Sequence, residues 1–325
     1  MKKFLFLIIL SLLSKLSESI EELTENNSFS KLISMVRMEI INKTLQDLPR
    51  KKEANFLQMV NKMVSAKKEY SLNETESAFL VFKWICQNIN LEQAILDDPI
   101  NAYNSGKGSA KALSSLFNNF CTYLKVSSNS ISGYLKYNNF YYNELQKKIN
   151  HTWNYVEIKG KYYLLDVSMA SKLRIYSDDD ILYFYFGTDP EILIRSHFPN
   201  ENKWQLLSEP YPFEKFENMA LLYPYFYLFG FKTISPDTNK IIGNENIIIT
   251  SDKLFLQSDY FTICKIKESK NIMSSFIFSS PFPSKEIKIS YNENENECLI
   301  YEIHMMSNST NHLAPIVSYN TKYTK

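Results

Sequence analysis

The chain has 325 residues, enough for a sizeable core and for more than one domain. Its formal net charge of +1 sets 36 Lys and Arg against 35 Asp and Glu, which excludes a global field tuned to nucleic acid or to acidic substrates. With 22 Tyr, 22 Phe and only 7 Gly, the composition suits packed strands better than disorder.

Lys2 and Lys3, the apolar run Phe4 to Leu13, and the small residues Ser17 and Ser19 predict a secretory signal peptide over 1–19, cleaved before Ile20. The apolar run is shorter than the roughly 20 residues a bilayer span requires, and no later segment is long and apolar enough. The expectation is therefore a secreted or lumenal protein with no membrane span after cleavage. Asn26, Asn42, Asn73, Asn150 and Asn308 each begin an Asn-x-Ser/Thr sequon, so a glycoprotein is expected. Asn150 directly precedes His151, and it is expected to stay unmodified. An oxidising compartment permits disulfides among Cys86, Cys121, Cys264 and Cys298, and four cysteines allow three pairings. Cys264 with Cys298 is one pairing open within the C-terminal region. Cys86 and Cys121 sit in apolar helical patterns that predict buried thiols.

Leu32, Ile33, Val36, Ile40 and Ile41, then Phe56, Met59, Val60 and Met63, recur at helical spacing and predict amphipathic helices joined near Pro49. Residues 75–90 read as a mostly apolar buried helix, and 109–125 as another after the Gly106–Gly108 break. The period then changes. Residues 128–137, 151–160 and 161–169 alternate apolar and polar positions, with Lys159–Gly160 as a tight turn, and predict antiparallel hairpins. Asp178 to Asp180 mark a solvated loop or helix start, and Pro199, Pro210 and Pro212 punctuate a loop-rich stretch. Beyond about residue 236 the text is strand-like and predicts a small β-sandwich. Residues 291–297, "YNENENE", read as a polar turn or loop.

His151, His197, His304 and His312 show no metal-binding spacing, so no metal is expected. "GKGS" at 106–109 lacks the upstream glycine and the Lys-Ser/Thr step of a phosphate loop. No Asp/Glu-rich loop has calcium-binding spacing, and no cofactor is implied. His151 and Asp166 are different. They lie on successive strands on either side of the Lys159–Gly160 turn, where a carboxylate can fix the tautomer of an imidazole. Such a pair equally suits a structural hydrogen bond. Trp153 and Tyr155 share the strand parity of His151, as an aromatic groove or as core.

The strings "WICQNIN" (84–90), "GSAKALSSLFNNFC" (108–121), "ISGYLK" (131–136), "NHTWNYVEIKGKYYLLDVS" (150–168) and "HFPNENKWQLL" (197–207), in this order, resemble the transglutaminase-like superfamily. Within it the resemblance is to the group of kyphoscoliosis peptidase and cytokinesis protein three, and it covers about residues 75–235. It implies an α+β fold: a papain-like core of helices packed on an antiparallel sheet, followed by the small β-sandwich. Together with the signal peptide and the strand-like tail read above, it gives this expected division: signal peptide 1–19, helical region 20–70, transglutaminase-like core 71–235 and C-terminal domain 236–325. It also implies a cysteine at a helix N-terminus, made nucleophilic by the helix and a His–Asp pair.

His151 matches the His of that pattern and Asp166 the Asp. Leu116, Phe117 and Cys121 set the helix register, and Gly108 holds the leading glycine. The nucleophile position then falls on Ala110, whose methyl group attacks nothing. Met169 and Ala170 stand where the pattern has Trp and Gly. Cys121 lies about 16 Å along the helix from Ala110, too far to share its imidazole. Ser109 is one residue upstream, either as a helix N-cap or as an alternative nucleophile. The resemblance thus implies a catalytically inactive protein in which His151 and Asp166 are a remnant dyad, acting as a binding or adaptor module for a protein or peptide and not for nucleic acid. The alternative is an active peptidase or acyl transferase using Ser109, His151 and Asp166.

Overall fold

A computed structural model describes residues 30, 32–50, 53–92, 97–136, 148–173, 179–241, 246–255, 260–267, 270–275, 284–290, 300–306 and 314–320. The signal-peptide segment, residues 291–297 and Cys298 lie outside the described residues, as does the side chain of Cys264.

Helices α1 (Met38–Asp47), α2 (Phe56–Glu69) and α3 (Glu74–Asn88) open the fold. Capping boxes start two of them. The Asn55 side chain accepts from the Gln58 N–H and Asn73 from the Glu76 N–H, while each partner side chain accepts from the cap's own N–H. Glu76 is fully buried, and its charge is met by a forked pair of bonds from Arg37 at 2.5 and 2.6 Å. That pairing holds the Glu76 carboxyl below its usual range, against its burial. Helix α3 is buried nearly all round; Phe79, Phe82, Trp84 and Cys86 enter the main core.

A short helix α4 (Pro99–Ser105) ends at Gly106, whose φ of 78° suits glycine, and leads into α5 (Ala110–Tyr123). The next elements form a sheet: β1 (Ser127–Leu135), β2 (His151–Ile158), β3 (Lys161–Leu165), β4 (Phe186–Thr188) and β5 (His197–Pro199). Their order is β4-β3-β2-β1-β5, and every neighbour is antiparallel. Lys159 and Gly160 join β2 to β3 with φ of 51° and 75°, the two left-handed positions of a tight hairpin turn. Alternation then sorts the faces of β2. Asn154, Val156 and Ile158 face the helices; Trp153 packs on the other side with Ile131, Leu164 and Leu193.

Period-two alternation predicts a third strand reaching residue 169. The strand instead ends at Leu165, and α6 (Val167–Leu173) follows at once. Asp166 is the cause, because its side chain caps the new helix. Helices α7 (Asp180–Tyr185), α8 (Pro190–Leu193), α9 (Phe213–Asn218) and α10 (Pro224–Leu228) lead towards the C-terminal sheets.

Those sheets take strands from before residue 236: β6 (Leu221–Leu222) and β7 (Phe231–Ser235). The rest are β8 (Asn246–Phe255), β9 (Tyr260–Lys267), β10 (Lys270–Ser275), β11 (Ser284–Ser290), β12 (Ile300–Met306) and β13 (Ala314–Asn320). One sheet runs β11-β8-β7 and the other β10-β9-β12-β13-β6, all antiparallel. Ile247, Ile249, Ile287 and Ile289 of the first and Ile303, Val317 and Tyr319 of the second are buried in one core. The fold is α+β. Among the described residues no helix is long and apolar enough to cross a membrane.

Candidate active site

Helix α5 is fixed on the sheet by a polar seam. The Ser114 hydroxyl lies 2.8 Å from that of Ser130 on β1 and 3.2 Å from the Trp153 carbonyl on β2. One turn further on, Asn118 bonds Ser130 at 2.9 Å, and Asn154 donates to Asn118 at 2.9 Å and to the Ser114 carbonyl at 3.1 Å. One turn back from Ser114 is Ala110, the first residue of α5 and half-buried.

Ser109 is the N-cap of that helix. Its hydroxyl accepts from the Ala112 N–H at 3.1 Å and donates to the Asp97 carboxylate at 2.5 Å. Its single proton is therefore committed to Asp97, not to His151. Ser109→Ala is expected to cost about 1 kcal/mol of stability, the usual worth of such a cap. A urea midpoint unchanged from wild type would contradict that.

His151 begins β2 and Asp166 follows β3, and the structure joins them. His151 Nε2 lies 2.6 Å from Asp166 Oδ2. A third group completes the cluster: His197, from β5, places its Nε2 2.9 Å from the same oxygen. The register explains this. Gly133 of β1 pairs with His151 on one side and Pro199 on the other, so residues 151 and 197 flank β1 on one face. Gly133 itself is required there, since a Cβ would lie 2.6 Å from the Trp153 ring and would strike the Phe198 carbonyl. The Trp153 ring centre sits 6.1 Å from that of His151 and 5.3 Å from that of His197, walling both in; its indole N–H is buried without an acceptor among the described residues.

Asp166 is fully buried and its lone pairs are filled. Oδ1 accepts from the Ser168 N–H at 2.8 Å, the Ser168 hydroxyl at 2.7 Å and the Met169 N–H at 2.9 Å; Oδ2 accepts from the two imidazoles. Burial pushes this carboxyl up, but the charge and hydrogen bonds of His151 and His197 outweigh it and hold it far below the usual carboxylate range. A carboxylate only accepts, so both Nε2 atoms carry hydrogen. His197 Nδ1 then accepts from the Ser196 hydroxyl at 2.8 Å. His151 Nδ1 has no hydrogen-bond partner among the described residues, and it is the nitrogen left to take a proton from a nucleophile.

Burial pushes the His197 imidazole below its ordinary value, and its bond to Asp166 opposes this only in part. The folded state thus keeps His197 neutral where the unfolded chain protonates it, so stability is lost as pH falls below about 6.5. The urea midpoint is expected to drop between about pH 7.5 and 5.5, and to drop less in His197→Gln. A flat midpoint over that range would contradict the assignment.

His197 was absent from the sequence-derived site, although the string "HFPNENKWQLL" begins with it. Spacing of histidines also failed to show that one atom each of His151, Asp166 and His197 lie within 4.8 Å of one another. Two histidines and a carboxylate are a ligand set that a divalent metal can use. Here each Nε2–H is already bonded to the carboxylate, so a metal would have to displace both protons. Cys86 and Cys121 are buried thiols; Cys86 Sγ lies 3.5 Å from the Val167 carbonyl, and burial pushes the Cys121 thiol up to about 12.

No family model matches the chain. It is 29% identical over 196 residues to kyphoscoliosis peptidase of Homo sapiens, covering 56% of this chain and 29% of that protein. The Mus musculus kyphoscoliosis peptidase is 30% identical over 196 residues, with the same shares of 56% and 29%. Hillarin of Drosophila melanogaster is 23% identical over 217 residues, covering 60% of this chain and 26% of that protein. The chain thus spans less than a third of the length of the curated relatives it matches. With these relatives, and with helices packed on an antiparallel sheet that joins His151 to Asp166, the chain is similar to proteins of the transglutaminase-like family.

Proposed function

We propose that this protein is secreted or lumenal, that its core has lost the thiol chemistry of its family, and that it acts as a binding or adaptor module for a protein or peptide. The observation that carries the reading is Ala110 at the head of α5, in a chain whose His–Asp pair has an Nδ1 that serves no protein group among the described residues. The commitment of the Ser109 hydroxyl to Asp97 and to the helix cap speaks against Ser109 as a replacement nucleophile. The His151–Asp166–His197 cluster then ties three strands together and stays fully satisfied at Asp166.

The purified protein is expected to show no incorporation of an amine into glutamine side chains and no peptide cleavage above buffer. Either activity, if abolished by His151→Ala in a folded protein, would overturn the reading. Material from a secreting eukaryotic host is expected to begin at Ile20. It is expected to carry no glycan at Asn150, whose amide accepts from the Leu135 N–H at 2.8 Å and donates to the Leu135 carbonyl at 3.3 Å. An unprocessed Met1 terminus in the secreted product would count against the signal peptide.

A further inference from the structure

Asp166 serves two imidazoles, and the second one holds a serine. Ser196 Oγ lies 2.8 Å from His197 Nδ1, and His197 Nε2 lies 2.9 Å from Asp166 Oδ2. With hydrogen on Nε2, the Nδ1 lone pair receives the serine O–H. The same hydroxyl is only weakly drawn to the Leu193 carbonyl at 3.4 Å. We propose that Ser196, His197 and Asp166 form a serine nucleophile with its base and orienter, able to take an acyl group from small activated esters.

Two features of the chain support this. The serine is half-buried, whereas His197 and Asp166 are 2% and 0% exposed. The base is held neutral by its burial, the form that accepts a proton. Esters with good leaving groups, such as aryl esters, make the smallest demand on such a pair, and amides the largest.

In the step, Ser196 Oγ bonds to the ester carbonyl carbon as its proton passes to His197 Nδ1. The carbon–oxygen bond to the leaving group breaks, and the departing aryl oxide takes that proton. Water, deprotonated by the same Nδ1, later releases the acid and restores the serine. Ala110 plays no part in this chemistry, and only Asp166 is shared with the thiol-type site.

The test is to treat the folded full-length protein with a fluorophosphonate and map the adduct by mass spectrometry. The expected result is an adduct on Ser196, absent from Ser196→Ala and formed about a hundredfold more slowly in His197→Gln. No adduct on folded wild type, an adduct on Ser109 instead, or labelling of Ser196 at an undiminished rate in His197→Gln would each overturn it. If His197→Gln does not fold, the burst of p-nitrophenol from p-nitrophenyl acetate decides. It is expected in wild type and absent from Ser196→Ala, which loses one hydroxyl from a half-buried turn; an equal burst from both would overturn the proposal. Amine incorporation is not measured in this test, so its outcome is separate from that of the binding-module reading.

Discussion

Replacing Asp166 with asparagine is expected to destabilise the protein by about 3–5 kcal/mol, the usual consequence of removing one partner from a buried charged network. The substitution preserves shape. What changes is the pattern of donors: an amide offers one acceptor oxygen and turns its NH2 towards groups that are themselves donors. Either the two imidazole N–H groups or the Ser168 and Met169 groups lose their acceptor, and all are buried. Because the folded-state pKa is depressed, the stabilisation by Asp166 is fully present above about pH 4, the ordinary carboxylate value, and is lost as pH falls further. Urea unfolding of both proteins near neutral pH measures the difference. A loss below about 1 kcal/mol would mean that Asp166 is not the hub.

Trp153→Ala is expected to cost about 3–5 kcal/mol, the range for a fully buried aromatic cut to a methyl. The ring is 1% exposed and packs with Ile131, Leu164 and Leu193. It also holds the positions of His151 and His197. Its removal leaves a void beside Gly133, whose missing side chain cannot fill it. The same urea experiment reads the effect. A loss of less than about 1 kcal/mol would show that the sheet face collapses around the gap.

Periodicity revealed the elements better than the junctions between them. The apolar helices at 74–88 and 110–123 and the hairpin about Lys159–Gly160 follow from spacing and turn chemistry. The end of β3 did not, because Asp166 can continue a polar–apolar alternation or cap a helix, and only the tertiary position of its carboxylate decides. The pairing of His151 with Asp166 follows from hairpin logic, since the two strands adjoin in sequence. His197 reaches the cluster from β5, across β1, a neighbour that no local pattern announces. For the same reason the partner of Ser109 was hidden: Asp97 lies twelve residues upstream and meets the hydroxyl only once α4 has turned the chain back.

The central claim is that Ala110 occupies the place of a thiol nucleophile served by His151. It is tested most directly by Ala110→Cys and the pH dependence of its alkylation by iodoacetamide. A thiol at the helix N-terminus that is served by His151 is expected to have its pKa lowered from about 8.5 to about 7. At about pH 6 this gives roughly thirtyfold more thiolate, and the lower nucleophilicity of a weaker base leaves about a fivefold faster reaction than for an ordinary exposed thiol. That advantage is expected to disappear when His151→Ala is added. An introduced thiol that titrates like a free cysteine, or that ignores His151, would contradict the account.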